Sequence, residues 1–170
     1  MTTTIEIERK FLVHVDELPD LGPSFAIEQA YLSEEPCVRI RTLTREGVTI
    51  ARLTVKGPGL IERTEIEIDI ETKKAQLILS EGLWNYALTK NRYRLGPWEV
   101  DEFTSAEHEG FWLAEIELKR KQDRFDLPAW LGPEVSEDPR FTNLALARDG
   151  VPADYWTWVE TGVFDVVAGR

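Results

Sequence analysis

Cysteine occurs once in the 170 residues, at Cys37. A single thiol excludes an intramolecular disulfide framework and a thiolate zinc cluster. In its strand Cys37 reads as a small apolar filler. Histidine is scarce as well, with only His14 and His108, both at strand ends or turns. A lone imidazole there is usually structural or solvated, and nucleophilic triads find no support. No run of about 18 apolar residues exists to cross a membrane. The N-terminus lacks the basic-then-apolar segment of a secretory signal, and a cytoplasmic location is the expectation. The motif G-x-x-x-x-G-K-[ST] is missing too, so "KGPGL" (56–60) reads as a turn and not as a phosphate loop. With no internal repeat, low-complexity tract or linker, residues 1–170 read as one domain.

What is present is an acidic, well-filled composition. The formal net charge is −11, the sequence pI is about 4.7, and 42% of residues are hydrophobic. Such a surface repels nucleic acid phosphates and anionic membranes, so neither is expected as a partner. The opening "TIEIERKFLV" (4–13) alternates charged and apolar residues, which is the signature of a strand with two unlike faces. The same period predicts strands near 25–33, 37–44, 49–57, 61–70, 87–95, 97–104 and 111–121. Turn signals at "REG" (45–47), "KGPG" (56–59) and "LGP" (95–97) separate them. A helix is predicted over 72–81 with Thr72 as its N-cap, and another over 141–150 ended by Gly150. Residues 126–140 read as a Pro-rich acidic loop. A last helix begins at Pro152 or Ala153, and its apolar residues, from Tyr155 to Val166, are expected to pack on the barrel's outer wall, with a dimer contact or a lid over the tunnel as the alternatives. Eight sequential antiparallel strands with a few helices define a mainly β, α+β chain whose strands can close into a barrel.

The charged residues share parity on each strand. Any one such strand could simply present a wet face, but two features of the set resist that reading. The faces are rich in arginine and paired carboxylates, with few neutral polar residues. Sign is also sorted by strand: 39/41, 52/56 and 90/92 are cationic, whereas 6/8, 65/67, 99/101 and 115/117 are anionic. A surface tuned for solubility mixes signs. If these faces look inward, the lumen is charged and the apolar exterior must be covered by helices, loops or a second subunit. A homodimer therefore stands among the expectations.

Each ion taken from water costs several kcal/mol unless it is paired, so a lumen crowded with guanidiniums calls for a polyanion. Arg forks fit phosphate oxygens bidentately, with Lys as a point charge. Carboxylate pairs beside that ligand call for a divalent cation, and Mg²⁺ is habitually held by one or two carboxylates plus phosphates. The pattern describes a polyphosphate–metal site.

The opening E-x-E-x-K (Glu6, Glu8, Lys10), followed by "VRIR", "LTVKG", "RTEIEI", "TKNRY", "WEVDEF" and "LAEIELK", resembles the CYTH superfamily, the triphosphate tunnel metalloenzymes. The resemblance runs from about residue 4 to 147 and excludes the 151–170 tail. It implies an antiparallel eight-stranded barrel whose tunnel binds triphosphate with Mg²⁺ or Mn²⁺. Carried over by motif, Lys10, Arg39, Arg41, Lys56 and Arg63 would hold phosphate oxygens, together with Lys90 and Arg92. Glu6, Glu8, Glu115 and Glu117 would hold the metal, with Glu65, Glu67 and Asp101 in support. Glu115 or Glu117 could also orient water. Tyr31 in "EQAYL" matches a position near the tunnel, while Arg52 and Arg94 share parity without an assigned role. The implied activity is hydrolysis of inorganic tripolyphosphate to pyrophosphate and phosphate. The alternatives are an organic triphosphate (thiamine triphosphate or a nucleotide), adenylyl cyclisation, or a non-catalytic polyphosphate-binding module. Trp84, Trp98 and Trp112 are candidates to stack on an organic group.

Overall fold

A computed structural model describes residues 2–164. The strands are β1 (Thr2–Val13), β2 (Phe25–Ser33), β3 (Cys37–Arg45), β4 (Val48–Lys56), β5 (Glu62–Ile70), β6 (Tyr86–Leu95), β7 (Trp98–Phe103), β8 (Trp112–Glu117) and β9 (Leu131–Glu134). Three helices join them, α1 (Thr72–Ser80), α2 (Asn143–Asp149) and α3 (Ala153–Thr161). The sheet runs β5-β4-β3-β2-β6-β7-β8-β1, and β1 pairs back onto β5 to close an antiparallel barrel of eight strands. Tight turns set the neighbouring registers. Glu46 and Gly47, both at positive φ (51° and 78°), link β3 to β4, as a two-residue hairpin of matching twist requires.

β1 is the closing strand. One edge pairs with β8, placing Glu8 opposite Glu117 and Lys10 opposite Glu115. Its other edge is shared, with Thr2–Ile7 against β5 and Phe11–Val13 against β9. The inward parity is the one that carries the charges, and it changes character along the barrel. Lys10 is followed on that face by Leu12, Lys90 is preceded by Leu88, Asp101 is followed by Phe103, and Glu115 is preceded by Leu113. These four apolar residues cluster with Phe111, Val135, Phe141, Leu146, Tyr155 and Trp158, so one end of the barrel is a packed hydrophobic floor.

The outward faces are covered locally. α1 lays Ala75 and Leu79 over Ile40 and Ala51. The segment after β8 folds back so that Phe125 and Trp130 meet Trp98 edge-on, with ring centroids 5.6 and 5.7 Å away. No helix among the described residues is long and apolar enough to cross a membrane.

Four expectations need correction. β8 ends at Glu117, so Lys119 and Lys121 leave the sheet, although the Leu118 amide still donates to Ile7 O at 2.8 Å. The 126–140 loop contains β9, a short strand recruited by the free end of β1. Glu71, not Thr72, occupies the N-cap of α1, and the Thr72 hydroxyl donates instead to Thr49 O at 3.2 Å. Thr142 caps α2 by accepting from the Ala145 amide at 3.2 Å. Finally, Tyr155 and Trp158 seal the barrel's end and not its side wall, while Val166 lies outside the described residues.

The floor depends on one small residue. A Cβ added at Gly132 in β9 would stand 2.6 and 2.8 Å from ring carbons of the buried Trp158. Gly132→Ala is expected to destabilise the protein by about 1–3 kcal/mol through overpacking, read by urea unfolding. An unchanged midpoint would show that the Trp158 ring yields freely.

Candidate active site

The charged faces of β1 and β3–β8 enclose a cavity of about 340 Å³. Glu6, Glu8, Arg39, Arg41, Lys56 and Arg63 line it, opposite Glu65, Glu67, Arg92, Glu115 and Glu117. Lys10 and Tyr31 line a smaller recess of about 40 Å³ behind it. Lys90 and Asp101 line neither space. They are 2% and 0% exposed, and they form a dry ionic layer between the cavity and the hydrophobic floor.

In that layer Arg92 grips Asp101 bidentately at 2.6 Å from Nε and 2.6 Å from Nη2. Lys90 Nζ lies 2.5 Å from Asp101 Oδ2, and Glu115 takes 2.5 Å from Lys10 Nζ and 2.8 Å from Arg92 Nη2. Burial alone would raise the Glu115 carboxyl, but Lys10, Lys90 and Arg92 outweigh it and hold the group well below the usual range. Burial pushes Lys90 down to about 8 despite Asp101 beside it.

Higher in the cavity the pairing continues. Lys56 Nζ sits 3.0 Å from Glu6 and 2.7 Å from Glu65, Arg63 Nε sits 2.7 Å from Glu6, and Arg41 Nη2 sits 2.9 Å from Glu67. Burial opposes ionisation of Glu6, yet Lys56 and Arg63 bring its pKa down to about 2. Two groups break the pattern. Arg39, 6% exposed, donates to the Thr54 hydroxyl at 3.3 Å, has no carboxylate partner among the described residues, and has a buried Nε with no acceptor. Glu117 faces Glu8 directly across the β1–β8 pair and has no cationic partner among the described residues. Burial, then Glu6, Glu65, Glu8 and Glu99, push its carboxyl above the ordinary value. Like charges placed opposite each other are destabilising; Glu8 is offset by Lys10 at 2.6 Å and Arg63 at 3.4 Å, whereas Glu117 is left without a counter-charge among the described residues.

Among the described residues no three His, Cys, Asp or Glu side chains stand close enough to hold an ion by themselves. The donors at the Glu8–Glu117 corner are all carboxylate oxygens, suited to a hard cation. Mg²⁺ held by one or two carboxylates and completed by phosphate oxygens needs no third protein ligand. The residues fit such an ion together with a phosphate.

Several lining residues had no assigned role. Arg52, Arg94 and Glu99 share the inward parity and line the outer cavity, so their strand alternation already marked them. At the mouth, the Phe25 ring lies between the guanidiniums of Arg45 and Arg94, 5.0 and 5.4 Å from the centroid. Asn143 is different. It reaches in from α2, accepts from Lys90 Nζ at 2.9 Å and donates to Glu115 at 3.3 Å. No strand period could have flagged it. Cys37, read as an apolar filler, stands on the inward face opposite Lys56 and lines the small recess.

A closed antiparallel barrel with sign-sorted walls around an anion-sized cavity defines the class, a tunnel of the CYTH type. No protein-family model matches the chain, but individual proteins do. An inorganic triphosphatase from Acetivibrio thermocellus is 36% identical over 151 residues, covering 85% of this chain and 94% of the relative. Another, from Nitrosomonas europaea, is 34% identical over 153 residues, covering 84% and 96%. A solved inorganic triphosphatase structure superposes with a TM-score of 0.57 at 30% identity, covering 86% of this chain and 95% of that one. A putative adenylate cyclase from Bacillus halodurans, at 17% identity and a TM-score of 0.53, shares the fold. The chain belongs to the inorganic triphosphatase family of the CYTH superfamily.

The ionic walls make stability depend on acid in a defined direction. The Glu6 pKa is depressed from 4.5 to about 2, so its contribution is complete above 4.5 and disappears as pH falls toward 2. Glu6→Gln is expected to lower the melting temperature at pH 7, with the gap to wild type closing between pH 4.5 and 2. A gap independent of pH would assign the loss to packing.

Proposed function

We propose that the lumen hydrolyses inorganic triphosphate to pyrophosphate and phosphate with Mg²⁺ or Mn²⁺. The observation that carries this reading is the pairing of opposites within one cavity. Arg39 is a buried cation lacking an anion, and Glu117, opposite Glu8 on β1, is a carboxylate lacking a cation among the described residues. A phosphate chain bearing a divalent cation satisfies both at once. The names of the relatives support the same substrate.

Arg39, Arg41, Lys56 and Arg63 would bind the phosphate oxygens, with Arg92 at the base of the cavity. Glu8 and Glu117 would hold the metal, helped by Glu6 and Glu65. When bound, the ion neutralises phosphate charge and lowers the pKa of a coordinated water. Glu117 would orient the attacking water, because it has no cationic partner among the described residues whereas Glu115 is engaged by Lys10 and Arg92. Glu115 keeps Lys10, Arg92 and Asn143 in position. The water oxygen bonds to the terminal phosphorus as the bridging P–O bond breaks. The bridging oxygen leaves with the electron pair on pyrophosphate, and the water proton passes to Glu117. Cationic side chains stabilise the charge on both fragments.

The inorganic substrate is preferred because the tryptophans available for stacking lie elsewhere. Trp98 and Trp112 point outward under the segment that follows β8, and Trp84 Nε1 bonds Leu79 O at 3.1 Å. A cytoplasmic location and a homodimer complete this reading.

Phosphate release from triphosphate, ATP and thiamine triphosphate is the test, run with Mg²⁺, Mn²⁺ or EDTA. Release from inorganic triphosphate that stops with EDTA is expected. Glu117→Gln should lower turnover by about 10²–10⁴-fold and raise the melting temperature, since it relieves like-charge crowding. Near wild-type turnover in this variant would remove Glu117 from the chemistry, and release from ATP alone would redirect the substrate.

A further inference from the structure

Gln29 is a buried polar residue that the ionic layer does not use. It stands on the inward parity of β2 between Ile27 and Tyr31, is 0% exposed, and lines neither the main cavity nor the recess. Its amide makes one side-chain hydrogen bond among the described residues, from Nε2 to the Tyr31 phenol oxygen at 3.0 Å. Its Oε1 is buried without a partner. An unpartnered carbonyl is costly to bury, and a methionine would fill the same space without that cost. The wall keeps an amide here against its own stability, and the phenol is what the amide holds.

Tyr31 is 3% exposed and stands directly opposite Arg39 across the β2–β3 pair. Burial raises the phenol's pKa to about 12, and the nearby Arg39 charge opposes that rise. Arg39 differs from the other cations of the lumen in what holds it. Arg41 rests on Glu67, Arg63 on Glu6 and Arg92 on Asp101. Arg39 instead donates to the Thr54 hydroxyl at 3.3 Å and faces a phenol. A carboxylate would orient the guanidinium but also neutralise it and compete with a substrate for its fork. Neutral oxygens orient it and leave the charge to the ligand. They grip it less firmly than a carboxylate does, so its geometry depends on those oxygens being fixed themselves.

We infer that Gln29 is a positioning residue, which fixes the Tyr31 phenol and through it the orientation in which Arg39 meets a substrate phosphate. The inference rests on the proposed triphosphate substrate. Gln29 itself touches neither substrate nor metal. Arg39 would grip the phosphate before and during cleavage alike, so losing its preset orientation weakens binding more than turnover.

Steady-state kinetics of inorganic triphosphate hydrolysis test this. Gln29→Met keeps the volume and the unbranched shape and removes the donor. Its KM is expected to rise about fivefold, the equivalent of one neutral hydrogen bond, with kcat within about twofold of wild type. Tyr31→Phe should give the same split, and the double variant should be no worse than either single one. In an Arg39→Lys background, Gln29→Met should leave KM unchanged. A residue that merely stabilised the fold would lower the melting temperature without this split. If Gln29→Met does not fold, Gln29→Asn, which withdraws the amide by one methylene, replaces it with the same expectation. A wild-type KM, a loss confined to kcat, or effects that add in the double variants would each overturn the inference. The wild-type protein separates this outcome from the proposed hydrolysis. If it cleaves triphosphate while Gln29→Met keeps the wild-type KM, the hydrolase stands and the positioning role falls. If it binds triphosphate without cleaving it, Kd from calorimetry replaces KM and decides the positioning role alone.

Discussion

The contact on which the rest of the lumen depends is the one between Glu115 and its two cations, Lys10 at 2.5 Å and Arg92 at 2.8 Å. It joins β8 to β1 and β6 across the barrel, at the depth where the interior changes from ionic to apolar. A single buried charge at that depth would cost several kcal/mol, and removing one partner of a buried pair is strongly destabilising. Here the layer is closed on itself. Arg92 is held by Asp101 as well, Lys90 by Asp101 and Asn143, and Lys10 by Glu8. The wet, charged part of the cavity can therefore stand directly above a hydrophobic floor.

Above this layer the ion pairs are exchangeable in a way the layer is not. Arg41 and Lys56 rest against carboxylates along the walls of an accessible cavity. On the proposed reading an incoming polyanion would compete for those cations, and a divalent ion would compete for the carboxylates. Each replaces a partner without leaving a bare charge behind, so the energetic difference between the free and loaded lumen is kept small. Arg39 and Glu117 are the exceptions, since neither has a side-chain partner of opposite charge among the described residues.

Much of this was legible because a strand has a period of two. Once the charges at 6/8/10, 39/41, 52/56, 63/65/67, 90/92/94, 99/101 and 115/117 were assigned to one face, the barrel wall followed. What alternation could not supply was depth. Nothing in "LTKNRY" distinguishes Lys90, sealed in the ionic layer, from Arg92, which lines the cavity. Their roles diverge only because Leu88 and Phe103 place the floor beside one of them. β9 was hidden because "LGPE" carries Gly and Pro, poor strand formers, and is a strand only through the unpaired end of β1. Asn143 was hidden because a contact spanning 28 residues, from a helix to Glu115, has no local signature. Cys37 was misread through its type, since small and apolar describes a thiol but not its address.

The shared edge of β1 carries a consequence for biosynthesis. β1 leaves the ribosome before each of its partners, β5, β8 and β9, and the last of these ends at Glu134. Its ionic face, Glu6, Glu8 and Lys10, must stay in water while over a hundred further residues are made. Pairings of such long sequence separation are slow to form, and unpaired strand edges invite association with other chains. An alternating strand carrying a charge at every second residue is poorly suited to that association. The residues that later line the cavity thus also act as a solubility tag for the nascent chain, spent once the barrel closes.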